Sequence, residues 1–314
     1  MSRTIFLFLL FTFNSLFATD YFRHPMQGEP FELWKYEFVL DNGTRVWLTY
    51  SNVTLPAVGK KIAAELSLNN FKSANYSVGK QFPVSDWNED KASGNIVIRE
   101  GFAMLGFPGT GHRVQFSTGK NQGFFLDLEF SDAAPTGEAM VNSLEGTTVG
   151  MVVHIPQGRV KGRLAVGKDT LKLNGKGSLL HTWHPKAATD FAVRSIALFS
   201  WGDSPFCGQI LQGKNGQLLG HAIALRDGKA ITLIPKKMLV EKNSLFIEWT
   251  NPEFPSLNLN LQKPFQKYSA LSTVDSWIER QAAKVVMGGD RILWRGQATT
   301  PFGAMDWVAT GFSE

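Results

Sequence analysis

The sequence predicts an all-β protein built as two successive β-domains, and three observations predict it. Apolar and polar residues alternate in short runs broken by turn residues, the period of antiparallel strands with one packed and one wet face. Thirty glycines, fourteen prolines, 24 phenylalanines and nine tryptophans supply turns and pleated aromatic surface in a chain of 314 residues. The runs recur at a spacing of about ten residues to the end of the chain, as in barrels and sandwiches.

Taken in order, Glu32 to Leu40 and Arg45 to Tyr50 read as a hairpin around Asp41, Asn42 and Gly43. Asn95 to Arg99, Arg113 to Ser117 and Phe124 to Phe130 follow, the last with Phe124, Leu126, Leu128 and Phe130 on one face. Thr148 to Ile155, Arg159 to Ala165 and Thr170 to Leu173 form a series closed by Pro156, Gly158 and Gly167. Phe191 to Phe199, Leu218 to Leu225, Ala230 to Ile234, Ser244 to Trp249, Leu257 to Leu261, Ile292 to Gln297 and Met305 to Thr310 complete it. Two stretches have helical spacing, Val58 to Leu66 and Val274 to Val285, the second with Trp277, Ile278 and Ala282 on one stripe. About sixteen strands exceed one small barrel, so the expected division is 19–167 and 168–314.

Residues 1–18 stand apart. Arg3, the apolar run Ile5 to Phe11 and Ala18 before a candidate cut have the layout of a secretory signal, too short to span a membrane. The expected location is therefore periplasmic or secreted, with no transmembrane anchor.

Composition narrows the function classes. With 43% hydrophobic and 19% charged residues, the chain is too apolar to be disordered. Its single cysteine, Cys207, excludes a disulfide framework and every multi-cysteine metal centre, and its neighbours Pro205, Phe206 and Ile210 suit a small buried hydrophobe. A net charge of +5, scattered along the chain, does not make the phosphate-binding stripe of a nucleic-acid protein.

The densest chemistry lies in Gly175 to Pro185. It brings His181, Trp183 and His184 together, with Asp190 and Arg194 close behind. In an extended chain His181 and Trp183 share one face and His184 takes the other. One reading makes His181 a proton donor or acceptor beside an apolar cavity, oriented by Asp190 or another acid. The other makes both histidines packing residues at a domain junction. His181 and His184 lack a third ligand beyond Asp190, so their spacing composes no metal site. The glycine-rich Gly106 to Gly111 lacks the lysine and helix of a phosphate cradle, and Ser200 and Ser204 sit in no nucleophile elbow. Aromatic residues gather after the histidines (Phe199, Trp201, Phe206) and at the end (Trp294, Phe302, Trp307, Phe312), either as filling or as the lining of a cleft for an apolar ligand.

The glycine-led segment Gly177 to His184, the strand end Phe199, Ser200, Trp201, Gly202 and the closing run Gly303 to Phe312 resemble the tandem lipocalin-like superfamily. Its members include the AttH proteins, the carotenoid hydratases and the survival factors. The resemblance implies two packed calycin β-barrels with one or two short helices, and a ligand in or between them that needs no cofactor or metal. By position it places His181, Trp183, His184 and Trp201 in the cleft and Asp306 as the closing-strand acid. Arg194, Phe199, Trp294 and Trp307 complete the expected ligand lining, and because an acid on an apolar strand needs a partner, Arg194 is one candidate for Asp306. His181, Asp190 and Asp306 are the candidate catalytic residues. Thr182 stands where members carry an acid, which favours binding over catalysis.

The leading expectation is thus an exported carrier of a lipid-like or isoprenoid-like small molecule, possibly with an envelope transport system as partner. The alternative is a cofactor-free hydratase or isomerase of an unsaturated hydrophobic substrate, using His181 and a carboxylate. A structural β-protein with incidental histidines is the third.

Overall fold

A computed structural model of the chain describes residues 21–311, apart from 27, 29, 56–58, 120–122, 134–138, 203–204, 242–243, 262–263, 270–276, 278–279, 282–291 and 302. The expected signal, 1–18, lies outside the described residues, as do Phe302 and Phe312. Of the expected helix at 274–285, only Trp277, Arg280 and Gln281 are described, and they are helical.

The chain is almost entirely antiparallel strand. The first sheet comprises β1 (Phe31–Leu40), β2 (Arg45–Leu55), β3 (Gly59–Phe71), β4 (Ala74–Phe82), β5 (Asn88–Asp90), β6 (Asn95–Arg99), β7 (Phe102–Leu105), β8 (Arg113–Ser117), β9 (Phe124–Ser131), β10 (Met140–Leu144), β11 (Thr147–Val166) and β12 (Asp169–His184). A short helix, α1 (Ala188–Phe191), leads out of it. Then come β13 (Arg194–Ser200), β14 (Phe206–Gln212), β15 (Leu218–Arg226), β16 (Lys229–Leu233), β17 (Pro235–Glu241), β18 (Ser244–Trp249), β19 (Leu257–Asn260), β20 (Gln266–Ser269), β21 (Ile292–Thr300) and β22 (Gly303–Thr310).

The first sheet runs β4-β3-β2-β1-β12-β11-β9-β8-β7-β6-β5, with β10 added on β11. Alternation decides its inner face: Trp34, Tyr36, Phe38 and Leu40 of β1 join Leu126, Leu128 and Phe130 of β9 in one core. Among the described residues no ladder joins β4 to β5, so the expected closed barrel is an open sheet curled around its side chains. Phe82 of β4 meets Phe102 of β7 edge-on, with ring centroids 4.8 Å apart, and side chains close what hydrogen bonds do not.

The second half forms a sheet ordered β16-β15-β14-β13-β22-β21-β20 and a three-stranded sheet β17-β18-β19. These enclose their own core, including Ile196, Leu198, Phe206, Trp249, Trp294, Met305 and Trp307. The two halves meet back to back. Trp47, Val153 and Leu180 from the first sheet pack with Phe199, Trp201, Cys207, Ile223 and Val308 from the second.

Several elements differ from the sequence expectation. Of Val58 to Leu66, expected helical, Val58 lies outside the described residues and Gly59 to Leu66 lies in β3, where Ile62, Ala64, Leu66 and Leu68 face the core with period two and pairing to β2 and β4 settles the choice. Pro156 and Gly158 do not end a strand: β11 continues through them as a bulge, and the Ser178 hydroxyl donates to the Pro156 carbonyl at 2.7 Å. Residue 167, the expected division, sits in the β11–β12 hairpin. Beyond it β12 pairs with β1, so the first sheet extends to His184.

Candidate functional site: a buried Glu-His-His chain in the first core

β1 and β12 lie side by side, Glu32 opposite Trp183 and Trp34 opposite His181. Residues 32, 34 and 36 therefore point into the first core together with 181 and 183, while 182 and 184 point away. Inside, His181 Nε2 lies 3.0 Å from Glu32 Oε1, both residues fully buried. His181 Nδ1 lies 3.3 Å from His154 Nε2. The β11 bulge explains how His154 arrives: the register slips between Val153 and Ile155, so that His154 and Ile155 both reach the first core.

Aromatic faces fix the imidazoles. Trp34 stacks on His181 at 4.4 Å, and His24 lies flat on Trp183 at 3.8 Å with an interplanar angle of 4°. His24 belongs to residues 21–26, which strap the core. Its backbone N–H donates to Glu32 Oε1 at 2.9 Å, that of Arg23 donates to Glu89 Oε1 at 2.8 Å, and Trp34 Nε1 donates to the Tyr21 carbonyl at 2.8 Å. Gly150 lies opposite Trp183 on β11, and a Cβ there would collide with the indole; only glycine lets that ring lie where it does.

A second polar pair lies deeper. Tyr36 Oη lies 2.8 Å from His112 Nε2, and His112 Nδ1 lies 2.8 Å from the Gly106 carbonyl. That carbonyl can only accept, so Nδ1 carries the proton and the tyrosine hydroxyl donates to Nε2. Burial lowers His112 to about 4, keeping this imidazole neutral. Tyr21 stands between the two groups, edge-on to both His112 and His154.

Electrostatics single out Glu32. Burial pushes its carboxyl up to about 9, with the His24 N–H opposing and Glu89 adding to the rise. Its Oε2 is buried without a hydrogen-bond partner. At neutral pH the carboxyl thus holds a proton it can offer to His181 Nε2, whose other nitrogen can pass one to His154. A neutral acid hydrogen-bonded to an imidazole, away from water and walled by rings, is equipped for proton transfer. His24, Glu32 and His181 also offer three ligand atoms within 4.8 Å of one another, a set able to hold a metal ion.

The residues expected from sequence separate into different environments. His181 and Trp183 lie in the site. Asp190 is exposed at α1 and is not the acid that meets His181. Asp306 faces the junction, where both its oxygens accept from Arg45 Nε at 3.0 and 2.9 Å and Oδ2 accepts from Trp201 Nε1 at 3.2 Å. Burial raises its carboxyl, while Arg45 and Trp201 hold it down. Its expected partner, Arg194, instead donates to Gln212 Oε1 at 2.9 Å. His184 points away from the core, against Phe31 and Phe191, with Nδ1 2.6 Å from the Lys186 carbonyl. Phe199 and Trp201 stack in the junction. Trp294 and Trp307 fill the second core. These ring residues therefore lie in separate environments.

Sequence reading missed Glu32, His24, His154 and Trp34. One signal was available: Glu32 occupies the apolar face of a strand that continues Trp34, Tyr36, Phe38, Leu40, and an acid there needs a partner. Nothing local announced His154, since its direction depends on the bulge.

No family model matches the chain, and no curated protein matches it in sequence. Solved structures do match in fold. CghA bound to Sch210972 superposes with a TM-score of 0.60 at 12% identity, over 91% of this chain and 89% of that one. An AttH protein of Nitrosomonas europaea gives 0.57 at 12% identity, over 91% and 93%. Kievitone hydratase of Nectria haematococca gives 0.51 at 10%, over 90% and 88%. The chain shares the all-β, lipocalin-like fold of these structures.

Proposed function

We propose that this lipocalin-fold protein is an enzyme that moves a proton on an unsaturated, largely apolar small molecule, as a hydratase or isomerase, with Glu32 and His181 as its acid–base pair. The observation that carries the reading is the fully buried hydrogen bond between these residues, extended by His154. A carrier gains nothing from an acid stripped of water; a catalyst of alkene protonation needs one. Kievitone hydratase and the Sch210972-bound CghA support the reading as proteins of the same fold, the one a hydratase by name, the other holding a small molecule.

Glu32 donates its proton to one carbon of the double bond, leaving positive charge on the other that the faces of Trp34 and Trp183 stabilise. In a hydratase, water adds to that carbon and its proton returns through His181 to the Glu32 carboxylate. In an isomerase, the neighbouring carbon releases the proton by the same path. Either way the pair ends as it began. The substrate enters by displacing residues 21–26, since half-buried His24 is the part of the site nearest solvent.

The same reading takes residues 1–18 as an export signal, so that the mature chain begins beside the strap. Conversion of polyene, terpenoid and enone substrates in deuterium oxide, with product deuterium read by mass spectrometry, tests the chemistry. Turnover with label at the new C–H bond is expected. Full turnover in Glu32→Gln would remove the proposed acid.

A further inference from the structure

We infer that His24, Glu32 and His181 bind one divalent transition-metal ion of the zinc type, and that the ion silences the proton-transfer pair by taking its lone pairs.

The three donors come from the strap, β1 and β12, with ligand atoms within 4.8 Å of one another. In a tetrahedral zinc site with bonds near 2.0–2.2 Å, donors stand about 3.3–3.6 Å apart. His181 Nε2 and Glu32 Oε1 already lie 3.0 Å apart, so only the His24 ring must close in, and it rides on a half-buried strap.

Two independent features point to a ligand. Glu32 Oε2 is a fully buried carboxyl oxygen without a hydrogen bond, a position that a cation would satisfy. Behind the donors, His181 Nδ1 is met by His154 Nε2 at 3.3 Å; a ligating imidazole needs such an outer partner to fix its ring. Trp34 and Trp183 wall the site against water. Two imidazoles and one carboxylate suit zinc, nickel or cobalt rather than magnesium or calcium. The cluster spans residues 24 to 181, so sequence spacing had no means of showing it.

Binding stands on geometry alone, whereas silencing rests on the proton-transfer reading. The full chain, stripped with chelator, is titrated with zinc chloride and, separately, magnesium chloride. Retained metal is read after gel filtration, together with the thermal unfolding midpoint. One zinc per chain and a raised midpoint are expected, with no effect of magnesium. His24→Ala and Glu32→Gln should each weaken zinc binding at least tenfold, and His154→Ala by a smaller factor. His24 is on the half-buried strap and Glu32→Gln preserves shape, so folded variants are expected, verified by circular dichroism. No retained zinc, or retention unchanged in both ligand variants, overturns the site. Zinc bound at one per chain with turnover unaffected overturns the silencing and leaves the site. Absence of turnover in metal-free protein sinks the proton-transfer reading without touching the metal result.

Discussion

In the first core, aromatic rings surround ionisable groups; in the second they surround one another. Glu32, His112, His154 and His181 lie within the first curl against Trp34, Tyr36 and Tyr21. Among the described residues, the buried titratable groups of the second half, His221, Cys207, Arg295 and Asp306, sit on strand positions facing the first sheet. Even the indole nitrogens of Trp249 and Trp307 in the second core lack partners. Because a buried ionisable group is costly to strip of water, a core that keeps several has a use for them, and one that keeps almost none is packing. One half holds the buried acid–imidazole chain, and the other packs against it through a junction in which Arg295 Nη2 donates to both oxygens of Glu37, at 2.7 and 3.0 Å.

The largest expected effect breaks the comparison at its centre. Glu32→Gln should lower turnover by about 10²–10⁴-fold, the range of a lost general acid, while Trp307→Phe in the second core leaves kcat within a few-fold. Steady-state kinetics of the two variants decide it, and equal losses would erase the distinction between the cores. Next comes the junction. Arg295→Met strips the buried Glu37 carboxyl of its hydrogen bonds and should cost about 1–3 kcal/mol in urea unfolding, with the pair replacement Glu37→Leu/Arg295→Met recovering much of that.

A matched pair of glycines sharpens the contrast. Gly150 underlies Trp183 and Gly296 underlies Trp307, and a Cβ at either would strike the indole. Alanine at each should cost about 1–3 kcal/mol by overpacking, but only Gly150→Ala should also depress kcat. The smallest effect is on pH dependence. The folded Glu32 carboxyl titrates near 9, above its ordinary 4.5, so the native state keeps a proton that the unfolded chain releases between those values. Its contribution is complete below about pH 4.5 and is lost as pH rises toward 9, by up to about 1.4 kcal/mol per pH unit. Glu37 adds a slope of the same sign, burial having raised it to about 8 against the pull of Arg295. Glu32→Gln should flatten the curve relative to wild type, and turnover in the wild type should fall as pH passes 9.

Much of the strand pattern was legible because its signal is local. The β1–β2 hairpin follows from alternation on both sides of Asp41, Asn42 and Gly43, and Phe124 to Phe130 declares its buried face outright. The helical reading of 59–66 failed because a short apolar run fits either period until neighbouring strands choose. His181 stood out by composition, and alternation correctly separated it from His184. Its acid did not stand out, because nearness in sequence favoured Asp190, whereas the sheet brings in Glu32 from 149 residues away.

What the sequence determined by itself is whatever depends on neighbours along the chain: strand periodicity, the turns, and which side chains of a strand share a face. Only the tertiary structure decided which faces meet. Pairing β1 with β12 set Glu32 beside His181, a one-residue slip in β11 turned His154 inward, and back-to-back packing consigned Asp306 and Trp201 to a junction. Long-range register has no local code; it is fixed by the burial of whole faces at once, and the buried contact between Glu32 and His181 depends on that register.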